Sequence, residues 1–171
     1  MTMKQVIELF LGDITTLKVD AIVNAANQTL LGGGGVDGAI HRVAGPELLD
    51  YCRKLGGCRI GEAKLTPGFK LPASYIIHTV GPTYFSSKDN KAELLADCYI
   101  NSIELAVQHG IRSIAFPAIS TGLYSYPVKE ATPIAVETVR RSLLVHEEIE
   151  KVVFCCFDEV TLETYKRELA L

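Results

Sequence analysis

Short apolar segments recur six times along the chain, each six or seven residues long and most of them rich in valine, isoleucine and phenylalanine. Segments of this length and composition are typical of buried β-strands. They are QVIELFL (5–11), DAIVNAA (20–26), EAKLTP (62–67), SYIIHTV (74–80), SIAFPAI (113–119) and KVVFCCF (151–157). Longer stretches with apolar residues at helical spacing lie between or after them. These predicted helices cover 36–45, 46–55, 90–110, 126–146 and 161–171.

The alternation of strands and helices indicates the fold class. It predicts a layered α/β domain with a mixed and mostly buried sheet. No linker, internal repeat or low-complexity segment divides the chain, so we expect one domain over residues 1–171. Ligands of such sheets bind beyond the carboxyl ends of the strands. Two segments that follow predicted strands, 24–38 and 117–127, therefore form the candidate site.

Composition narrows the range of partners. With 171 residues, 48% of them apolar, the chain can build one large core, and its net charge of -3 gives no field that attracts nucleic acid. Five scattered cysteines fit reduced thiols, and the spacing of Cys52 and Cys58 does not suit a zinc site. The sequence shows neither a signal peptide nor an apolar run of membrane-spanning length. We therefore expect a soluble, cytoplasmic protein without metal, cofactor or membrane partner.

Four consecutive glycines at 32–35 lead into a predicted helix. GGGVDG (33–38) matches the dinucleotide-binding pattern G-x-G-x-x-G, but AANQTLL separates it from the strand, and the Gly-Lys-Ser/Thr of a P-loop is absent. Bare backbone amides at a helix N-terminus form a phosphate site. A tight corner with positive φ angles is the alternative, which we favour for one glycine but not for four. STGLYSYP (120–127) adds hydroxyls and a helix start, so the two loops together suit a diphosphate.

Asp37 lies two residues after the last of the four glycines, and its position has two interpretations. An acidic residue at the start of a helix stabilises it by about 1 kcal/mol, and spacing alone slightly favours this structural role. A carboxylate beside a phosphate site repels the ligand, however. If the loop binds phosphate, activation or orientation of water explains Asp37 better. His41, one helical turn later, is interpreted as structural, because no nucleophile lies in register with it.

Other polar residues lie within or next to the predicted strands. We interpret Asn24 as a turn residue that bonds local backbone, whereas Asn27, nearer the glycines, is suited to bond sugar hydroxyls. Asp13 either caps a short turn or accepts the exocyclic amine of a base. His78, inside an apolar strand, is expected to be a hydrogen-bonded core histidine.

The chain resembles the macro domain family, and in particular its MacroD-type branch of ADP-ribosyl hydrolases, over a region from about residue 6 to the C-terminus. Four motifs occur in the family's order and spacing: GDIT (12–15), DAIVNAANQTLLGGGGVDGAIHRVAGPELL (20–49), IHTVGP (77–82) and FPAISTGLYSYP (116–127). The resemblance implies a three-layer α/β/α fold with a mixed six-stranded sheet. It also implies ADP-ribose as the ligand, with its diphosphate against the glycine backbone.

The resemblance assigns a position to each part of that ligand. Asp13 would receive the adenine amine beside the amide of Ile14, and Phe157 would stack near the adenine ring. Asn27 would hold the distal ribose, and Tyr124 would cover it. The diphosphate would be lined by Gly34, Gly35 and Val36 of the first loop and by Ser120, Thr121, Gly122 and Leu123 of the second.

The resemblance further implies an activity, because Asp37 distinguishes hydrolase-type members from many that only bind. Asp37 would position or activate the water that cleaves the ester between the distal ribose and an acyl group, with Asn27 as the second catalytic residue. The implied reactions are deacetylation of O-acetyl-ADP-ribose and removal of mono-ADP-ribose from Asp or Glu side chains of proteins, without a metal. A base of this kind contributes about 10²–10⁴-fold in rate.

Two other functions stay open. The chief alternative is a non-catalytic reader that binds ADP-ribosylated partners, in which Asp37→Asn leaves every activity unchanged. RNA or regulator binding through the same cleft is a weaker alternative, because the chain is acidic and lacks a basic patch with aromatic residues. Ser125 departs from the many relatives that have glycine between the two aromatic residues, so we expect altered affinity or substrate size. Nothing requires an oligomer, and we expect a monomer.

Overall fold

The computed structural model describes residues 5–85 and 90–170, and one six-stranded sheet runs through this part of the chain. Its strands are β1 (Val6–Leu11), β2 (Ala21–Ala25), β3 (Ala63–Pro67), β4 (Tyr75–Thr79), β5 (Ser113–Phe116) and β6 (Lys151–Cys156). They lie in the order β1-β6-β5-β2-β4-β3. β3 runs antiparallel to β4, and every other neighbouring pair is parallel. The mixed six-stranded sheet is therefore confirmed.

Helices cover both faces of this sheet. The helices are α1 (Gly35–Ala44), α2 (Pro46–Arg53), α3 (Lys91–Gln108), α4 (Val128–Val145) and α5 (Glu159–Leu169). Successive strand residues face opposite sides, so Ile22 packs with α1 and α2, whereas Ala21 and Val23 pack with α3, α4 and α5. The three-layer α/β/α architecture is confirmed, with an apolar core on each side of the sheet.

Proline and capping residues set several element ends. β5 stops at Phe116, short of the predicted end at 119, because Pro117 has no N–H to donate to a neighbouring strand. The C-terminal helix starts before the predicted residue 161, because the Asp158 side chain accepts a hydrogen bond from the Thr161 amide and caps α5. The last residue of that predicted helix, Leu171, lies outside the described residues.

Parallel strands place their carboxyl ends at one edge of the sheet. β1, β2, β4, β5 and β6 all end there. The glycine segment follows β2, and residues 117–127 follow β5. β2 and β5 are direct neighbours in the sheet. The two candidate loops therefore emerge side by side, at the edge where ligands of such sheets bind.

Candidate active site

The first loop joins β2 to α1 and carries three of the four glycines, and the fourth, Gly35, begins α1. Gly35 has a φ of +60°, in the left-handed region that favours glycine, and a Cβ at Gly38 would lie 2.5 Å from the Gly33 carbonyl oxygen. A Cβ at Gly35 would meet no atom within 4 Å, so this side of the loop is open. The first amides of α1 have no intrahelical partner, which makes the open side suitable for an anion.

The second loop, residues 117–127, lies against the first. Its Ser120 has a φ of +67°, and the Tyr126 amide donates to the Ser120 carbonyl at 2.9 Å, which closes the loop. Leu123 is 76% exposed, and a Cβ at Gly34 would lie 3.3 Å from its Cδ1 atom. The fold thus brings the two loops into contact at Gly34 and Leu123.

Two residues that follow β4, Gly81 and Tyr84, contact the second loop. A Cβ at Gly81 would lie 2.1 Å from Ser120 Oγ, so only glycine allows this close approach. The Tyr84 amide donates to the Tyr124 carbonyl at 2.9 Å. Ser125, the residue that departs from the family, has a φ of +61°, a conformation that costs a residue with a Cβ about 1 kcal/mol.

Asp37 lies in the first turn of α1 and is only 3% exposed. Its Oδ1 accepts a hydrogen bond from Asn24 Nδ2 at 2.8 Å, and His41 Nε2 lies 3.5 Å from the same oxygen. No side chain among the described residues caps α1, so Asp37 does not serve as its N-cap. Burial raises the pKa of Asp37 above its ordinary 3.8, while the Asn24 hydrogen bond and the His41 ring oppose that rise. A raised carboxyl pKa in a cleft is a feature of general bases.

The two oxygens of Asp37 have different surroundings. Asn24 and His41 contact Oδ1, whereas Oδ2 lies beside Gly33. A Cβ at Gly33 would lie 3.2 Å from Asp37 Oδ2 and 3.3 Å from Asn27 Nδ2. The two residues that the family resemblance assigns to catalysis, Asp37 and Asn27, therefore border the same glycine, and a side chain at position 33 would crowd both of them.

Asn27 also holds the first loop in shape. Its Nδ2 donates to the Gly32 carbonyl at 3.0 Å. Its Oδ1 accepts hydrogen bonds from the Thr29 amide, the Thr29 hydroxyl and the Leu30 amide. The side chain thus fixes the path of residues 27–32 and at the same time presents its amide nitrogen next to Gly33.

The sequence interpretation of Asn24 as a turn residue is wrong. Asn24 lies within β2, is fully buried, and contacts both Asp37 and, at 3.1 Å, His78 Nδ1. His78 in β4 also contacts Thr66 Oγ1 at 2.9 Å, so it is the hydrogen-bonded core histidine that the sequence predicts. A signal for Asn24 exists in the strand period, because Ile22 and Asn24 face the same side of β2, towards α1.

Asp13 and Phe157 lie at the far end of the sheet edge, after β1 and β6. The Gly12 amide donates to the Cys156 carbonyl at 2.9 Å and so joins the two strand ends. Asp13 is exposed, and its Oδ1 accepts hydrogen bonds from the Thr15 amide at 2.9 Å and the Thr15 hydroxyl at 2.7 Å, which confirms the turn-capping interpretation. Phe157 is 89% exposed. An exposed ring beside a carboxylate suits a flat base that carries an amine.

Metal-ligating side chains do not cluster within residues 5–85 and 90–170, where no group of three or more His, Cys, Asp or Glu is arranged to hold a metal ion. All five cysteines are free and buried. Burial raises the pKa of both Cys52 and Cys58 to about 11, so these thiols are protonated at neutral pH. In the same part of the chain, no helix combines the length and apolar character needed to cross a membrane.

The sheet order, the two loops and the buried carboxylate agree with one family. The family model described as "Macro domain" matches residues 23–135. The chain belongs to the macro domain family.

Individual relatives cover nearly the whole chain. A macro domain-containing protein of Chlorobaculum tepidum is 60% identical over 93% of this chain and 92% of its own length. A Klebsiella pneumoniae protein named O-acetyl-ADP-ribose deacetylase is 56% identical over 95% of each chain. The Xenopus laevis protein named ADP-ribose glycohydrolase MACROD2 is 53% identical over 95% of this chain and 40% of that longer protein.

A solved structure gives the same fold. The Oceanobacillus iheyensis macrodomain with ADP superposes with a TM-score of 0.95 at 43% identity, and the match covers 98% of this chain and 92% of that one.

Proposed function

We propose that this macro domain binds ADP-ribose and hydrolyses the ester that joins its distal ribose to an acyl group. The proposed substrates are O-acetyl-ADP-ribose and proteins that carry mono-ADP-ribose on Asp or Glu. Relatives named as a deacetylase and as a glycohydrolase support these two substrate classes. The observation that carries the proposal is Asp37, a carboxylate 3% exposed beside an open glycine loop.

The ligand would lie along the sheet edge, from the exposed end to the buried carboxylate. We place adenine against Asp13, the Ile14 amide and Phe157. The distal ribose lies between Asn27 and Tyr124, where the Asn27 amide nitrogen borders Gly33. The diphosphate contacts the backbone of both loops, through Gly34, Gly35, Val36, Ser120, Thr121, Gly122 and Leu123. Bare amides and the start of α1 compensate its negative charge.

Asp37 would act on the water that attacks the ester. Asn24 and His41 contact its Oδ1, which leaves Oδ2, the oxygen beside Gly33, to accept a proton from water. Hydrolysis divides one water between the products, which are ADP-ribose with a free hydroxyl and a carboxylic acid. Burial favours this role, because a carboxylate with a raised pKa is a stronger base than an exposed one.

The remaining properties follow the same proposal. We propose that the reaction needs no metal or cofactor, that residues 1–171 form one domain, and that this domain works as a monomer. Five free thiols fit a reducing compartment, which supports a cytoplasmic location.

The decisive experiment measures release of ADP-ribose from a protein mono-ADP-ribosylated on Glu, and of acetate from O-acetyl-ADP-ribose. Wild type is compared with Asp37→Ala, and a chelator is added to a parallel wild-type sample. Asp50→Ala is the matched control, because Asp50 is an exposed carboxylate on α2 whose side chain pairs with Arg53 of the same helix. We expect Asp37→Ala to lose at least ~10²-fold in rate, with the control and chelated samples unchanged.

Other outcomes identify the alternatives. If wild type binds ADP-ribose and releases no product from either substrate, the protein is a reader and the proposed activity is wrong. If the chelator abolishes release, the reaction depends on a metal. If Asp37→Ala retains the wild-type rate, Asp37 is not the base.

A further inference from the structure

A row of buried side chains runs beneath the glycine loop, from the edge of the sheet to Asp37. Thr66 lies in β3, His78 in β4 and Asn24 in β2, which are three neighbouring strands. Each of the three is 0% exposed. His78 and Asn24 are direct partners in the parallel register of β2 and β4, and Asn24 then reaches Asp37 on α1. Four elements thus contribute to one continuous chain of hydrogen bonds.

The direction of each hydrogen bond follows from the groups themselves. Thr66 Oγ1 lies 3.1 Å from the Pro67 carbonyl and 2.9 Å from His78 Nε2. The carbonyl can only accept, so the hydroxyl proton has a partner there, and Thr66 Oγ1 can accept the proton of His78 Nε2 that remains once Nδ1 accepts from Asn24. His78 Nδ1 is then an acceptor for Asn24 Nδ2. The other proton of Nδ2 is donated to Asp37 Oδ1.

The opposite orientation of the Asn24 amide is unfavourable. It would place Asn24 Oδ1, instead of the nitrogen, 2.8 Å from the Asp37 carboxylate, where two acceptors repel each other. In the orientation found, Asn24 Oδ1 has no hydrogen-bond partner within the described residues. A buried polar atom without a partner costs about 1–3 kcal/mol. This orientation therefore gives Asp37 a hydrogen-bond donor and leaves the Asn24 oxygen without one.

We propose that Thr66 and His78 are positioning residues, which fix the amide of Asn24 so that it donates to Asp37 Oδ1 and leaves Oδ2 for the substrate water. The expected effect on kcat rests on the proposed hydrolase function, whereas the direction of the hydrogen bonds does not. A neutral His78 is required, because an imidazolium donates from both nitrogens and cannot accept from Asn24. Burial, helped by His41, lowers the pKa of His78 to about 3, which keeps the ring neutral at physiological pH.

Other titratable groups also face this chain of hydrogen bonds. His41 on α1 faces both Asp37 and His78, and Cys52 on α2 and Tyr124 of the second loop face Asp37. A test should leave these three groups unchanged. Thr66 is the suitable position for a test substitution, because it carries no charge and lies at the end of the hydrogen-bond chain that is farthest from the cleft.

The first measurement needs no variant. The ¹⁵N chemical shifts of the histidine rings report which nitrogen of His78 carries the proton. We expect the Nε2–H tautomer of neutral His78 between pH 5 and 8. The Nδ1–H tautomer, or a charged ring in this range, would overturn the proposal.

The second measurement compares Thr66→Val with Thr66→Ser. Valine has nearly the same shape as threonine but cannot accept the Nε2 proton, whereas serine keeps the hydroxyl. We expect Thr66→Val to populate the Nδ1–H tautomer of His78 and to raise the pKa of Asp37, read from the ¹³C shift of its carboxyl carbon. Thr66→Ser should retain the wild-type values. A Thr66→Val protein that is less stable but has an unchanged tautomer and unchanged Asp37 pKa shows a merely structural role and contradicts the proposal.

Kinetics supply the third readout. We expect Thr66→Val to lower kcat about tenfold, the loss typical of outer partners of an active group, and to move the acid limb of the pH–rate profile to higher pH. Binding of ADP-ribose should stay within about twofold of wild type, because Thr66 is buried away from the cleft. Unchanged kcat and pH profile contradict the positioning role. If wild type hydrolyses neither substrate while the tautomer and pKa results hold, only the proposed function fails.

Discussion

Asp13 and Asp37 are two carboxylates at the same edge of one sheet, yet their surroundings are opposite. Asp13 is exposed and bonded to Thr15, two residues away in the chain. Asp37 is 3% exposed and bonded to Asn24, whose orientation depends on residues from two further strands. Asp13, which we propose to recognise the ligand, is held on the surface by a local turn. Asp37, which we propose to act as the base, is buried, and several elements hold it.

The largest expected effect is that of Asp37→Asn. We expect kcat to fall about 10²–10⁴-fold while ADP-ribose binding is retained. The raised pKa means that the charged carboxylate opposes folding at neutral pH, so the variant should also be more stable, with a higher Tm. This gain should vanish as pH falls below 3.8, where the folded and unfolded wild type are both protonated at Asp37. Steady-state kinetics and calorimetry test both parts, and a lower Tm at pH 7 would show that burial of the charge is not the dominant cost.

The second largest expected effect is the contribution of His78 to the pH dependence of the unfolding free energy. Because the pKa of His78 is lowered to about 3 from 6.5, the folded protein excludes a proton that the unfolded chain binds below about pH 6.5. The contribution is complete above that pH and is lost as pH falls towards 3. Between pH 7.5 and 5.0 we expect wild type to lose about 2 kcal/mol more unfolding free energy than His78→Asn, measured by urea denaturation. Equal losses in the two proteins would show that His78 takes up a proton in the folded state.

Asp13→Asn should have a smaller and purely binding effect. The amide keeps an oxygen for Thr15 but loses the charge that strengthens a hydrogen bond to the adenine amine. We expect about tenfold weaker binding of ADP-ribose by calorimetry, unchanged binding of ribose 5-phosphate, and a kcat within about twofold of wild type. In contrast with Asp37→Asn, Tm should not rise. Equal losses for both ligands would place the adenine elsewhere.

Ser125→Gly should have the smallest effect. Glycine relieves the positive φ of +61° but adds freedom to the unfolded chain, so we expect a net gain of about 0.5 kcal/mol in unfolding free energy. ADP-ribose affinity should change by no more than about threefold. Ser125→Ala is the matched control, because it removes the hydroxyl and keeps the Cβ, and it should give no gain in stability. A gain in both variants would assign the effect to the hydroxyl.

Much of this protein can be predicted along the chain. Apolar segments of six or seven residues mark the strands, and their alternation with helices defines the layered fold. The glycine segment marks the first loop, because no compact side-chain packing explains four glycines before a helix. Motif spacing identified the family, and Asp13 could be assigned to its turn because its partner, Thr15, is two residues away.

Local sequence could not reveal what holds Asp37. Asn24 was misinterpreted as a turn residue because its partners, Asp37 and His78, are 13 and 54 residues away. Pro117 ends β5 because it has no N–H to donate to a neighbouring strand. This effect depends on the pairing of strands and not on the local sequence alone.

By itself the sequence determined the strands, the helices and the two loops, because these depend on periodicity and on neighbouring residues, and the family resemblance that it carries singled out Asp37. The tertiary structure alone decided that Asp37 is buried, that its two oxygens differ, and that a chain from Thr66 through His78 and Asn24 reaches it. Burial and hydrogen-bond direction arise only when distant strands pair and a helix covers them. Those two properties set the charge and orientation of the group on which the proposed reaction depends.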